Sequence, residues 1–148
     1  MSGQFEVVTE VDRPIEEVFA FLAEGTNDPQ FSPRVQRIDK HPAGPTAVGT
    51  VFRSTVKDAG MTSLRDIRIT ALEAPWKLRW TETSKNTVMS PEGGYDLETT
   101  ADGMTRVRLF NVLEGHGIGK LLVGLAVSAS RKDAPAFGAR IKKAIEAS

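Results

Sequence analysis

The stretch VDRPIEEVFAFLAEGTNDPQF, residues 11–31, decides how the chain is built. An extended opening runs into Pro14, whose fixed φ suits the first turn of a helix. Glu16 and Glu17 put carboxylates beside the exposed amides of that turn. Ile15, Val18, Phe19 and Leu22 follow as the stripe of an amphipathic helix. Gly25 is expected to end it in a left-handed conformation. In TNDPQF, Asn27 or Asp28 reads as a cap and Pro29 as the first turn of a second, very short helix. Two helices, the second tiny, therefore interrupt the chain just after its first strand.

Outward from this stretch, residues 4–11 upstream suit a strand. Downstream, residues 34–40, 50–58, 63–72, 77–84, 94–100 and 105–113 read as strands, most with apolar and polar residues in alternation. Turn chemistry separates them: HPAGPTAVG, a turn at 58–60, EAP, and TADGM with Gly103 in the left-handed position. The three-residue TADGM hairpin sets Leu97 opposite Val107 and Tyr95 opposite Leu109, so both apolar sets share one face. After EGHGIG the period changes. Phe137, Ile141 and Ile145 repeat every four residues, and Leu121, Leu122, Leu125 and Ala129 extend the helix back to about Ile118. Pro135 inside it is expected to kink or break it. Short turns imply an antiparallel meander, and its one apolar face needs a cover that only the last helix is long enough to give. The expected class is α+β.

The 148 residues suit one domain, residues 1–148. Nineteen basic residues balance nineteen acidic ones, which argues against a dedicated nucleic-acid binder. The absence of cysteine excludes disulfides, zinc–thiolate sites and thiol nucleophiles. The opening MSGQFEVVTE carries no secretory signal pattern, and the apolar run at 121–127 is too short to span a bilayer, so a cytoplasmic location without a transmembrane segment is expected.

Taken in order, VDRPIEEVFAFLAE, NDPQFSPRV, VGTVFR, ITALEAPWKLRW, GMTRVRL and ARIKKAIE resemble the START-like superfamily, which includes the polyketide cyclase/dehydrase group and the birch-pollen allergens. The resemblance runs over nearly the whole chain. It departs at Phe31, where relatives often carry Trp, and at Arg13, where they often carry Ala. It implies the helix-grip fold: a curved antiparallel sheet of six to seven strands around a long C-terminal helix, with two short helices closing one end. It also implies a cavity for a small hydrophobic or aromatic molecule, lipid- or polyketide-like. Cyclase or dehydrase chemistry is one use of such a cavity. Carriage or sensing without turnover, and protein interaction of the chaperone-activator kind, are the alternatives.

No nucleotide loop, dinucleotide fingerprint, serine elbow or paired-histidine motif is present, so no cofactor is expected. His41 and His116 fall in loops without a third ligand at metal-binding spacing, so no metal is expected. Strand phase turns Ser54, Arg65, Ile67, Trp80, Glu82, Tyr95 and Asn111 inward, and buried polar groups need partners. Two readings stand for Arg65 and Glu82. They pair and fix the sheet, or Arg65, Tyr95 and Asn111 anchor a ligand and serve as weak catalytic candidates. Phe21, Phe31, Phe52 and Leu125 complete the expected ligand-contacting set. Arg53, Arg68, Arg79, Arg106 and Arg108 read as a solvated outer face paired across strands with Asp96 and Glu98.

Overall fold

The helix forms where the signals around Pro14 place it, with Pro14 at the N-cap rather than in the first turn. In the computed structural model, which describes residues 2–58 and 60–148, Pro14 precedes α1 (Ile15–Ala23), whose buried face is Ile15, Val18, Phe19 and Leu22. Before it runs β1 (Ser2–Val11), and after it a 3-10 helix (Gly25–Gln30). Then come β2 (Val35–His41), β3 (Val51–Asp58), β4 (Met61–Glu73), β5 (Lys77–Glu82), β6 (Val88–Thr99), β7 (Thr105–Gly115) and α2 (Gly119–Glu146). The strands form one seven-stranded sheet in the order β1-β7-β6-β5-β4-β3-β2. Every pairing is antiparallel. Strands two to seven follow as a meander, and β1 returns to pair with β7. A long helix laid on such a sheet is the helix-grip arrangement.

The C-terminal half of α2 holds the fold together. Ile141 and Ile145 are buried and share the core with Val7, Val11, Val107 and Leu109. Each such side chain contributes about 1.5–3 kcal/mol of burial free energy. On β1, Gly3 lets Val127 approach so closely that a Cβ there would sit 2.8 Å from Val127 Cγ2. The hairpin register is the expected one, with Leu97 opposite Val107 and Tyr95 opposite Leu109, around Gly103 at φ +77°. Of the five outer arginines, Arg79 and Arg108 pair with Asp96 and Arg106 with Glu98 as expected, Arg108 also with Glu6; Arg53 pairs instead with Asp66, and Arg68 makes no ion pair among the described residues.

Several expectations change. Helix α1 ends at Glu24 with φ −84°, and Gly25 is not left-handed. Glycine is needed there because the Phe52 ring would lie 2.9 Å from a Cβ. Pro29 lies inside the 3-10 helix, not in its first turn. Strand β6 begins at Val88, six residues before the expected start, because a register shift between Met89 and Glu92 carries the ladder past Pro91 and Gly93. Helix α2 runs unbroken through Pro135. The turn read at 58–60 includes Ala59, which lies outside the described residues. His41 closes β2.

Candidate functional site

Strand alternation builds the floor of a cavity. Phe52 and Ser54 on β3, Arg65 and Ile67 on β4, Trp80 and Glu82 on β5, Tyr95 on β6 and Asn111 on β7 all face the same space. Leu22 of α1 and Gly25 and Asp28 of the 3-10 helix close one end, Thr87 just before β6 and Val88 and Ser90 on it lie along one side, and Leu122, Ala126, Ala129 and Ser130 of α2 form the roof. The cavity volume is about 490 Å³. The cavity sits under the N-terminal half of α2, while the C-terminal half fills the rest of the concave face.

Eight of the expected residues line this cavity: Phe52, Ser54, Arg65, Ile67, Trp80, Glu82, Tyr95 and Asn111. Three do not. Phe31 is buried in the core, its ring 6.4 Å from Phe21 and 5.8 Å from Phe137. Phe21 belongs to that aromatic cluster, which fastens α1 to α2. Leu125 is 70% exposed. Val123 and Val127 seat the helix, and a helix turns by about 100° per residue, so Leu122 and Ala126 come to the cavity and Leu125 to the far side.

Two polar networks cross the floor. Glu82, with 1% of its side chain accessible, accepts hydrogen bonds from Arg65 Nη1 at 3.1 and 3.3 Å, Ser84 Oγ at 2.7 Å, Asn86 Nδ2 at 2.7 Å and the Ser90 amide at 2.9 Å. Arg65 Nη1 also donates to the Val88 carbonyl at 2.8 Å. The pair thus ties β4 to β5 and to the start of β6. In the second network Asn111 Oδ1 accepts from Trp80 Nε1 at 3.2 Å and from Ser90 Oγ at 2.9 Å. Trp80 meets Tyr95 edge-on, ring centroids 5.4 Å apart.

Gly93 makes the second network possible. It pairs with both Trp80 and Asn111, and a Cβ there would sit 2.1 Å from Asn111 Oδ1 and 2.4 Å from Trp80 Nε1. Gly93→Ala is therefore expected to break the bridge and lower stability by about 1–3 kcal/mol. Thermal denaturation followed by Trp emission measures both effects.

Sequence reasoning missed Asp28 as a cavity residue and read it as a helix cap. Its carboxyl lines the cavity, and desolvation raises its pKa from 3.8 to about 7. Tyr95 is raised well above its usual value, first by desolvation and then by the Asp28 charge. No local signal in TNDPQF tells a capping carboxylate from an inward one. Among the described residues no group of three metal-ligating side chains exists, and no helix is long and apolar enough to cross a membrane.

A family model described as polyketide cyclase / dehydrase and lipid transport matches residues 2–146. No curated protein sequence matches the chain. Among solved structures, the chain is similar to the Zhui aromatase/cyclase from a Streptomyces species at 16% identity and TM-score 0.76, covering 97% of this chain and 94% of that one. It is similar to a START superfamily protein from Mycobacterium smegmatis at 13% identity and TM-score 0.71, covering 95% and 97%. It is also similar to a major latex-like protein from Panax ginseng at 16% identity and TM-score 0.67, covering 99% and 96%. At such identities the likeness is one of fold.

Proposed function

The chain belongs to the polyketide cyclase / dehydrase and lipid transport family, and from that premise we propose that it binds a small hydrophobic or aromatic molecule beneath the N-terminal half of α2. The observation that carries this reading is the cavity of about 490 Å³, whose mostly apolar walls hold a few converging polar groups. Such walls reward an apolar ligand for leaving water, and the polar groups orient it.

Binding, not turnover, is the reading these side chains favour. Arg65 Nη1 is engaged by Glu82 and Val88, and Asn111 Oδ1 by Trp80 and Ser90. Both are held as parts of the wall. Of the three catalytic candidates, Tyr95 alone has no side-chain hydrogen bond among the described residues.

The test fills the cavity from its roof. Ala126→Trp is expected to weaken binding of 1-anilinonaphthalene-8-sulfonate, read by fluorescence titration, by about tenfold or more, because the new ring takes the ligand's space. Native mass spectrometry should show a co-purified small molecule on the wild type and none on the variant. Equal binding by both proteins overturns this reading.

A further inference from the structure

Among the described polar groups of the cavity, Asp28 and Tyr95 are the two titratable ones without a side-chain partner, a state shared by the hydroxyls of Ser32, Thr87 and Ser130. Arg65, Glu82, Ser90 and Asn111 all have protein partners. Among the described residues neither the Asp28 carboxyl nor the Tyr95 hydroxyl has a side-chain hydrogen bond. They are not sealed away either, since Thr46 Oγ1 is the one described side-chain atom both shut from solvent and unpartnered. Both residues line the cavity, and the Asp28 charge acts on Tyr95. A polar group in such a place is costly unless something satisfies it.

We propose that Asp28 and Tyr95 form a two-donor site for a single carbonyl oxygen on an otherwise apolar, aromatic ligand. This rests on the cavity-binding reading above and names the ligand's polar end. Asp28 is the neutral acid over most of the range below about pH 7, so its O–H donates, as does that of Tyr95. Two donors lining a mostly apolar cavity favour an acceptor oxygen and discriminate against a hydrocarbon of the same shape. Above that range the carboxylate repels the same oxygen. The other charged groups around the 3-10 helix are engaged elsewhere. Glu24 pairs with Lys40 of β2, Arg34 with Asp58 of β3, and Arg140 of α2 with Asp133 and the Phe31 carbonyl. Asp28 is thus the group whose charge changes there near neutral pH.

The experiment compares 2-acetylnaphthalene with 2-ethylnaphthalene, matched in shape and differing at the oxygen. Dissociation constants are measured for the wild type, Tyr95→Phe, Asp28→Leu and Asp28→Asn, with circular dichroism checking the fold of each. In Tyr95→Phe and Asp28→Leu the ratio of ketone to hydrocarbon affinity is expected to fall about tenfold. In the wild type the same ratio falls between about pH 6 and about pH 8.5. Asp28→Asn, whose amide still donates, keeps the ratio at both. If the hydrocarbon binds and the ratio is unmoved by variants and pH, the two-donor site is overturned and the cavity reading survives. If neither compound binds the wild type, both fall together.

Discussion

Arg65→Ala is expected to lower the unfolding free energy by about 3 kcal/mol with little change in denaturant m-value. The Glu82 side chain is 1% accessible and Arg65 is its ion-pair partner. Removing the guanidinium leaves a buried carboxylate with Ser84, Asn86 and the Ser90 amide still donating to it but no cation. Breaking a buried pair in this way costs about 3–5 kcal/mol. The lower end applies because three donors remain and water can enter where the 30% accessible Arg65 side chain stood. The control is Arg53→Ala, which removes an exposed partner of Asp66 and is expected to cost less than about 1 kcal/mol. Urea denaturation of both variants measures the contrast. It also separates the two readings of Arg65. A wall-fastening residue loses stability first, and ligand affinity follows as β4, β5 and the start of β6 loosen. A pure ligand anchor would lose affinity at unchanged stability, and that outcome would overturn the structural role given to it here.

What the sequence made legible follows from where local chemistry decides the outcome. The β6–β7 register could be read because a three-residue turn with a left-handed Gly103 permits one pairing that keeps Tyr95, Leu97, Val107 and Leu109 on a single face. Strand alternation likewise placed Ser54, Arg65, Trp80, Glu82 and Asn111 on the cavity side, since a period of two leaves only two choices. The start of β6 was hidden because Pro91 and Gly93 look like a loop, and only pairing with β7 makes this stretch a strand. The roof was misread because the first half of α2 carries leucines and valines around its whole circumference. Val123 and Val127 took the inner face and left Leu121 and Leu125 in solvent. Phe21 and Phe31 could be read as buried, but whether a buried ring meets core or cavity depends on Phe137, more than a hundred residues away. Asp28 was illegible for the same reason: the direction of a side chain on one short 3-10 helix is set by what packs around it.

Asp28→Asn is expected to stabilise the protein, and to do so in a pH-dependent way. The carboxyl loses its proton near 3.8 when the chain is unfolded and at about 7 when it is folded. Below the lower value both states hold the proton and the residue has no effect on the balance. Between the two values only the unfolded state ionises, so stability falls as pH rises. Above about 7 the loss is complete, and this span corresponds to about 4 kcal/mol at most. Cavity water reduces that figure, so a gain of about 2–4 kcal/mol is expected for the amide at about pH 8 and almost none at about pH 4. Chemical denaturation of wild type and variant at the two pH values checks this, and a gain of equal size at both would overturn the desolvated carboxyl. The direction of the effect bears on function. Glu82 is buried more deeply, but it is held by four partners that secure the sheet. Asp28 costs the empty protein stability and fastens nothing with its side chain. A ligand oxygen accepting its proton would supply the missing partner, so bound ketone should recover part of the cost near neutral pH, and the melting shift it produces should be larger for wild type at about pH 6 than at about pH 8.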